Sequence, residues 1–144
     1  MKMPVALMGR VKVELSVVNN RDRVAADLGV IPESAIRRVT PTGVVDTGAT
    51  RPVLPGSAVE ALGLEPVSAV TARYADRRGA TVAVVDNVLV ELLGRTSIFK
   101  ALVEPDRTDA LIGAIVMEDL DLLVDCTRET IYRRDPDMVI SEIE

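Results

Sequence analysis

The sequence predicts a single mostly-β domain with two short helices, and length, composition and periodicity each point to this fold class. The chain has 144 residues, the usual size of a domain with one hydrophobic core. Apolar residues make up 48% of it but aromatic residues only 2%, so the core must be aliphatic and rich in β-branched residues, which favour strands. Apolar and polar residues alternate along much of the chain, as in strands with one buried face.

The first third of the chain contains one clear strand and a less regular segment. Residues 11–18 alternate between apolar and polar, which predicts a half-buried strand. Asn19-Asn20 is typical of a turn. Residues 21–28 could form about two helical turns, ended by Gly29 in the left-handed conformation. Residues 36–40 are predicted to be extended.

The centre of the chain holds the predicted central strand. Residues 44–46 run as Val-Val-Asp into a turn, and residues 52–54 form a short extended segment. A helix is predicted over 57–62, because Pro55 suits a helix start and Gly63 suits a helix end.

Two hairpins are predicted next, each made of two alternating runs around a polar tip with a glycine. The first hairpin has strands 68–74 and 80–85 around the tip 75–79. The second has strands 88–93 and 96–103 around the tip 94–95.

The last third of the chain is predicted to consist of short strands and one short helix. Residues 110–113 are predicted as an apolar strand ending at a glycine, and 114–120 suit one or two helical turns. Residues 122–125 and 130–133 are predicted as a final pair of strands. The tail 135–144 is acidic and expected to be loose. No linker-like stretch interrupts the chain, so residues 1–144 are predicted to form one domain.

Histidine is absent from the chain, and cysteine occurs once, as Cys126. Without histidine the chain has no Ser-His or Cys-His nucleophile pair and no His-ligated metal site. One cysteine allows neither an intramolecular disulfide nor a multi-cysteine metal site. We therefore expect no metal and no cofactor, and any hydrolytic chemistry must depend on carboxylates.

The charge and hydropathy of the chain argue against nucleic acid and membrane partners. The formal net charge is −5, from 17 Lys and Arg against 22 Asp and Glu, and the basic residues form no cluster. No apolar run approaches the roughly 18 residues of a membrane span. Residues 1–10 are too short for a signal peptide. A cytoplasmic protein is the expectation.

The order of the motifs resembles a known family. The central strand ends in five residues that combine an acid with a tight turn: Asp46, Thr47, Gly48, Ala49 and Thr50. A short helix and a hairpin follow, and an apolar pair with a glycine then leads into a second short helix and a strand: Leu111, Ile112 and Gly113. This order resembles the retropepsin-like (clan AA) aspartic proteases, in particular their small bacterial members, over about residues 11–134.

The resemblance implies a closed β-barrel-like domain that acts as a homodimer on extended peptide or unfolded-protein segments, with one catalytic aspartate, Asp46, from each subunit. It also implies a hairpin flap that closes over the substrate. The candidate flap residues are Tyr74, Ala75, Asp76, Arg77, Arg78 and Gly79. The chain departs from compact viral proteases in two places: residues 19–42 form an insertion, and the flap tip has one glycine and two arginines.

The residues themselves support carboxylate chemistry. Two carboxylates about 3 Å apart cannot both ionise, so one can act as base on a water while the other acts as acid. The chain has one Asp-Thr-Gly turn, so the second carboxylate must come from another copy across a two-fold axis. Thr47 is expected to bridge to the partner's backbone, and Thr50 to satisfy a backbone group in its own turn. The resemblance further implies that Gly113 lets residues 111–112 pass close beside the turn.

Several simpler interpretations stay open at this point. Asp46-Thr47-Gly48 could be a plain β-turn, and the chain could be a dimeric peptide-binding or regulatory module that cleaves little or nothing. Arg77 and Arg78 could be a solvated tip or could select acidic substrate side chains. A metal-dependent hydrolase would use the acidic cluster, although its spacing fits a solvated helix face better. That cluster comprises Glu118, Asp119 and Asp121. Cys126 is more consistent with a structural role than with a nucleophile.

Overall fold

The computed structural model of the chain describes residues 11–137 and residue 143. The predicted tail therefore lies largely outside the described residues. Within the described part, no helix is both long and apolar enough to cross a membrane.

Nine strands of the described chain form one mixed sheet. They are β1 (Lys12–Glu14), β2 (Ser16–Asn19), β3 (Arg38–Val39), β4 (Thr42–Val45), β5 (Val53–Pro55), β6 (Pro66–Arg73), β7 (Gly79–Leu92), β8 (Arg95–Glu104) and β9 (Ala110–Ile112). The order along the sheet is β1, β4, β9, β5, β8, β7, β2, β3, and β6 pairs with β7. The sheet is curled into a half-barrel. The mostly-β prediction is confirmed, and closure of the barrel stays a prediction.

The two predicted hairpins share the long strand β7. Residues 79–85 of β7 pair with β6, and residues 83–92 pair with β8 around a register shift between Val85 and Val88. The β7–β8 turn consists of Leu93 and Gly94, both with positive φ (50° and 79°). This pair of left-handed residues matches the twist of the flanking strands, which is why such turns connect hairpins.

Residues 11–137 contain three α-helices, whereas two short helices were predicted. The helices are α1 (Asn20–Asp27), α2 (Gly56–Leu62) and α3 (Ala114–Asp119). Helix α1 corresponds to residues 21–28, for which about two helical turns were predicted, but it begins at Asn20, where a turn was predicted. The side chain of Asn19 caps α1 by accepting hydrogen bonds from the backbone amides of Arg21 and Asp22. A short 3-10 helix, Glu33–Ala35, follows within the segment predicted to be an insertion.

The core is aliphatic, as the composition predicts. Its buried side chains come mainly from strands and from α2 and α3, with Leu15 between β1 and β2 and Leu120 at the end of α3, and Phe99 adds an aromatic ring. Examples are Leu15, Leu54, Leu62, Ile112, Val116 and Leu120. The final pair of strands, β10 (Leu122–Asp125) and β11 (Thr130–Arg133), forms a separate antiparallel hairpin that packs Leu122 and Ile131 on this core.

One feature of the sheet positions the candidate site. β4 and β9 pair in parallel, with Val45 opposite Ile112. The carboxyl ends of two parallel strands meet at the same edge of a sheet. As a result Asp46, which follows β4, lies beside Gly113, which follows β9.

Candidate active site

The backbone holds the carboxylate of Asp46 in a fixed turn. The amide of Asp46 donates to the carbonyl oxygen of Ile112 at 3.0 Å, which extends the β4–β9 pairing by one residue. The amide of Ala49 donates to the carbonyl oxygen of Asp46 at 3.1 Å and closes the turn. The amide of Gly48 donates to Oδ1 of Asp46 at 3.0 Å. The orientation of the acid is therefore set by the chain itself.

Helix α3 holds the same turn from the other side. The amide of Ala114 donates to the carbonyl oxygen of Ala49 at 2.7 Å, and the amide of Ile115 donates to that of Thr50 at 3.0 Å. These amides belong to the first turn of α3, where backbone donors have no partner within the helix. The helix start and the acidic turn thus satisfy each other's backbone groups.

Gly113 allows this close packing. A Cβ atom on Gly113 would lie 2.6 Å from the carbonyl oxygen of Arg51 and 2.7 Å from that of Thr50. Its φ of −80° is accessible to any residue, so the requirement for glycine is steric rather than conformational.

A groove of about 1050 Å³ opens directly beside Asp46. Asp46 and Thr47 line it, one wall includes Tyr74 and residues 80–82 near the tip of the β6–β7 hairpin, and another wall is the loop between β8 and β9. The full lining is Val11, Val44, Val45, Asp46, Thr47, Tyr74, Ala80, Thr81, Val82, Glu104, Pro105, Asp106, Arg107, Thr108, Asp109, Leu111, Val124 and Cys126. In the single chain Asp46 and Thr47 are both exposed.

The predicted flap residues separate into two groups. Tyr74 lines the groove, whereas residues 75–79 form an exposed tip that does not. The tip is a tight turn in which the amide of Arg78 donates to Oδ1 of Asp76, and Arg77 has a φ of 68°. The guanidinium of Arg78 lies 5.0 Å from the centre of the Tyr74 ring.

A contact that sequence analysis did not identify joins the flap to the groove wall. The hydroxyl of Tyr74 donates to Oε1 of Glu104 at 3.1 Å, and Nε of Arg107 donates to Oε2 of Glu104 at 2.7 Å. Burial of the hydroxyl, followed by its hydrogen bond to the Glu104 carboxylate, raises the pKa of Tyr74. The sequence showed only a polar loop after a strand here, with no sign of its partner.

The remaining residues singled out in the sequence differ in their position relative to the groove. Leu111 lines the groove, while Ile112 and Gly113 support the turn from behind. Asp121 forms an ion pair with Arg134 at 2.8 Å, and the hydrogen bond from Arg134 is the main cause that lowers the pKa of Asp121. Within residues 11–137 and 143, no three His, Cys, Asp or Glu side chains are grouped as metal ligands. Cys126 is exposed and lines the groove.

Comparison with known proteins supports the fold of the chain. No family model matches the chain. No curated protein matches it either. Among solved structures, the chain is similar to EIAV protease complexed with the inhibitor HBY-793, with a TM-score of 0.52 and 16% sequence identity. The similarity covers 82% of this chain and 94% of that protease. The expected retropepsin-like fold is confirmed at this level, and the small bacterial group is not singled out.

Proposed function

We propose that the chain is an aspartic endopeptidase that acts as a homodimer, with Asp46 of each subunit activating one water. The observation that carries the proposal is the setting of Asp46. Its carboxylate is fixed by the Gly48 amide, its turn is bonded to β9 and α3, and it faces a groove that can take an extended chain. A plain β-turn would need none of these supports.

The fold similarity adds to the proposal. One solved structure that resembles this chain is a protease with a bound inhibitor, and by analogy we infer protease activity for this chain. We also propose that the chain belongs with the small bacterial retropepsin-like proteins.

The proposed chemistry needs a second copy of the chain. A single carboxylate cannot act as acid and as base in the same step. When two such turns meet across a two-fold axis, the pair shares one proton, so one carboxylate takes a proton from water and the other gives one to the peptide carbonyl oxygen. The exposure of Asp46 and Thr47 in the single chain leaves the turn accessible to this partner. Thr47 would then hold the two turns together.

The proposed substrate is an extended peptide segment. Such a segment can lie in the groove as an added strand beneath the β6–β7 hairpin. Its backbone would form hydrogen bonds with the backbone of residues that border the groove. Alternate side chains of the segment would then face the groove walls.

The experiment is digestion of an unstructured protein by the wild type and by Asp46→Asn. We expect cleavage by the wild type, its loss in the variant, and its inhibition by a pepstatin-like transition-state mimic. Asp119→Asn is the matched control, because Asp119 is an exposed carboxylate on α3 away from the groove. It should keep full activity, with or without a chelator. Equal cleavage by the wild type and Asp46→Asn would contradict the proposal.

The alternative is a dimeric peptide-binding or regulatory module that cleaves little or nothing. The observation that favours it is the flap tip, where two exposed arginines and one glycine form a tight, hydrogen-bonded turn. In that case peptide binding persists, and Asp46→Asn leaves the affinity unchanged.

A further inference from the structure

The tip end of the β6–β7 hairpin has little to hold it in place: among the described residues, 79–82 of β7 pair with β6 alone, whereas most of the rest of β7 also pairs with β8 or β2. β6 pairs with β7, and seven of its eight residues are exposed. Buried apolar surface is the usual source of rigidity, and segments without it open locally at low free-energy cost. The position of the hairpin over the groove therefore depends on individual contacts at its end.

The Tyr74–Glu104 hydrogen bond is such a contact. It joins the flap end of the hairpin to the last residue of β8, where β8 leads into the loop wall of the groove. Arg107 occupies the other carboxylate oxygen of Glu104, so the carboxylate is oriented toward Tyr74. All three side chains line the groove that contains Asp46.

We propose that Glu104 is a positioning residue that holds the flap over the groove through the hydroxyl of Tyr74. We call this pair the latch. The inference rests on the proposed function, because it assigns the latch a role in keeping substrate in the groove beside Asp46. The latch belongs to a single chain, so it works before any partner is bound.

The strength of such a bond sets the size of the effect. Loss of a hydrogen bond to a charged acceptor raises the open-to-closed ratio of the flap by about tenfold. The groove is formed while the Tyr74–Glu104 bond is in place, and we assign substrate binding to this closed state. A bond that stabilises bound substrate and transition state equally changes KM rather than kcat.

The test compares Tyr74→Phe with Tyr132→Phe. The first substitution keeps the aromatic ring and removes the hydroxyl, while Tyr132 is a half-exposed tyrosine on β11 outside the groove and serves as the control. The readout is the rate at which trypsin cleaves after Arg77 and Arg78, both exposed at the tip, in an Asp46→Asn background. We expect about tenfold faster cleavage for Tyr74→Phe and no change for Tyr132→Phe.

A double variant separates the latch from a general loosening of the chain. Glu104→Ala should accelerate tip cleavage similarly, and adding Tyr74→Phe to it should cause no further acceleration. Independent, additive effects of the two changes, or cleavage as slow in Tyr74→Phe as in the control, would overturn the proposal.

The peptidase assay completes the test. With Asp46 intact, Tyr74→Phe should raise KM at least about twofold and leave kcat within about threefold of the wild type. The tip-cleavage assay needs no peptidase activity of the chain. If Tyr74→Phe accelerates tip cleavage but the wild type shows no peptidase activity, only the proposed function is refuted. If the wild type is an active peptidase but Tyr74→Phe leaves tip cleavage unchanged, only the latch is refuted.

Discussion

The backbone amide of Asp46 donates to the carbonyl oxygen of Ile112 at 3.0 Å, so the acidic turn is attached to a strand from the other half of the chain. Through this bond the position of the acid depends on β9, and through Ala114 on the start of α3. Substitutions in β9 or at the start of α3 should therefore change the position of the Asp46 carboxylate while Asp46 itself is kept.

Gly113→Ala tests the packing between β9 and the turn. The new methyl group would lie 2.6 Å from the carbonyl oxygen of Arg51, so the turn must move. We expect a loss of about 1–3 kcal/mol in the free energy of unfolding, measured by urea denaturation. Gly79→Ala is the control: its methyl group would meet Thr71 at an ordinary 3.6 Å, and its effect should stay within about 0.5 kcal/mol. Equal stability of the two variants would contradict the close approach.

Asp22→Asn tests an ion pair that fixes the segment after α1. Both oxygens of Asp22 accept hydrogen bonds from the Arg37 guanidinium, and this contact lowers the pKa of Asp22. Because the folded-state pKa lies below the unfolded value of about 3.9, the pair stabilises the fold above that pH and the stabilisation is lost as pH falls through the folded-state pKa. The variant should lose about 1 kcal/mol at pH 7, and little at a pH below the folded-state value.

The control for this prediction lies on the same helix. Asp27 forms an ion pair with Arg23 at 3.1 Å, but its side chain is 66% exposed. Asp27→Asn should change the free energy of unfolding by at most about 0.5 kcal/mol at either pH. A pH-independent loss in Asp22→Asn would show that the carboxylate charge is not what stabilises this segment.

Arg95→Met tests a buried cation beneath the C-terminal hairpin. The Arg95 side chain is 3% exposed and donates to the carbonyl oxygens of Leu120, Asp121 and Asp135. Methionine fills similar space but leaves those acceptors unsatisfied, which should cost about 3 kcal/mol in the free energy of unfolding. Arg128→Met should cost less than about 0.5 kcal/mol, because Arg128 is 83% exposed. Similar losses in both variants would mean that burial of Arg95 is not decisive.

Local patterns in the sequence predicted much of the architecture. Alternation predicted the hairpin strands, and Gly63, with a φ of 67°, ends α2 as its position suggested. The acidic turn after a β-branched strand was visible for the same reason, since strand, acid and turn are consecutive in the chain. The roles of Asp46 and its neighbours in catalysis stay predictions, as does the interpretation of 19–42 as an insertion.

The sequence could not show contacts between distant side chains. Asn19 was interpreted as a turn residue, but its side chain caps α1 and donates to the carbonyl oxygen of Leu62. Arg95 was interpreted as part of a hairpin tip, and Glu104 was left outside the predicted strand 96–103. Each has its partner far along the chain, and a polar residue carries no local mark of the partner that folding will bring to it.

The most direct test of the shared carboxylates is a subunit-mixing experiment. Wild-type protein at fixed concentration is allowed to exchange with an equal amount of Asp46→Asn, and cleavage of an unstructured protein is measured. If each active unit needs one Asp46 from each of two subunits, activity falls to about half, because mixed dimers contain a single acid. If activity stays at the wild-type level, each chain works alone and the shared-carboxylate mechanism is contradicted.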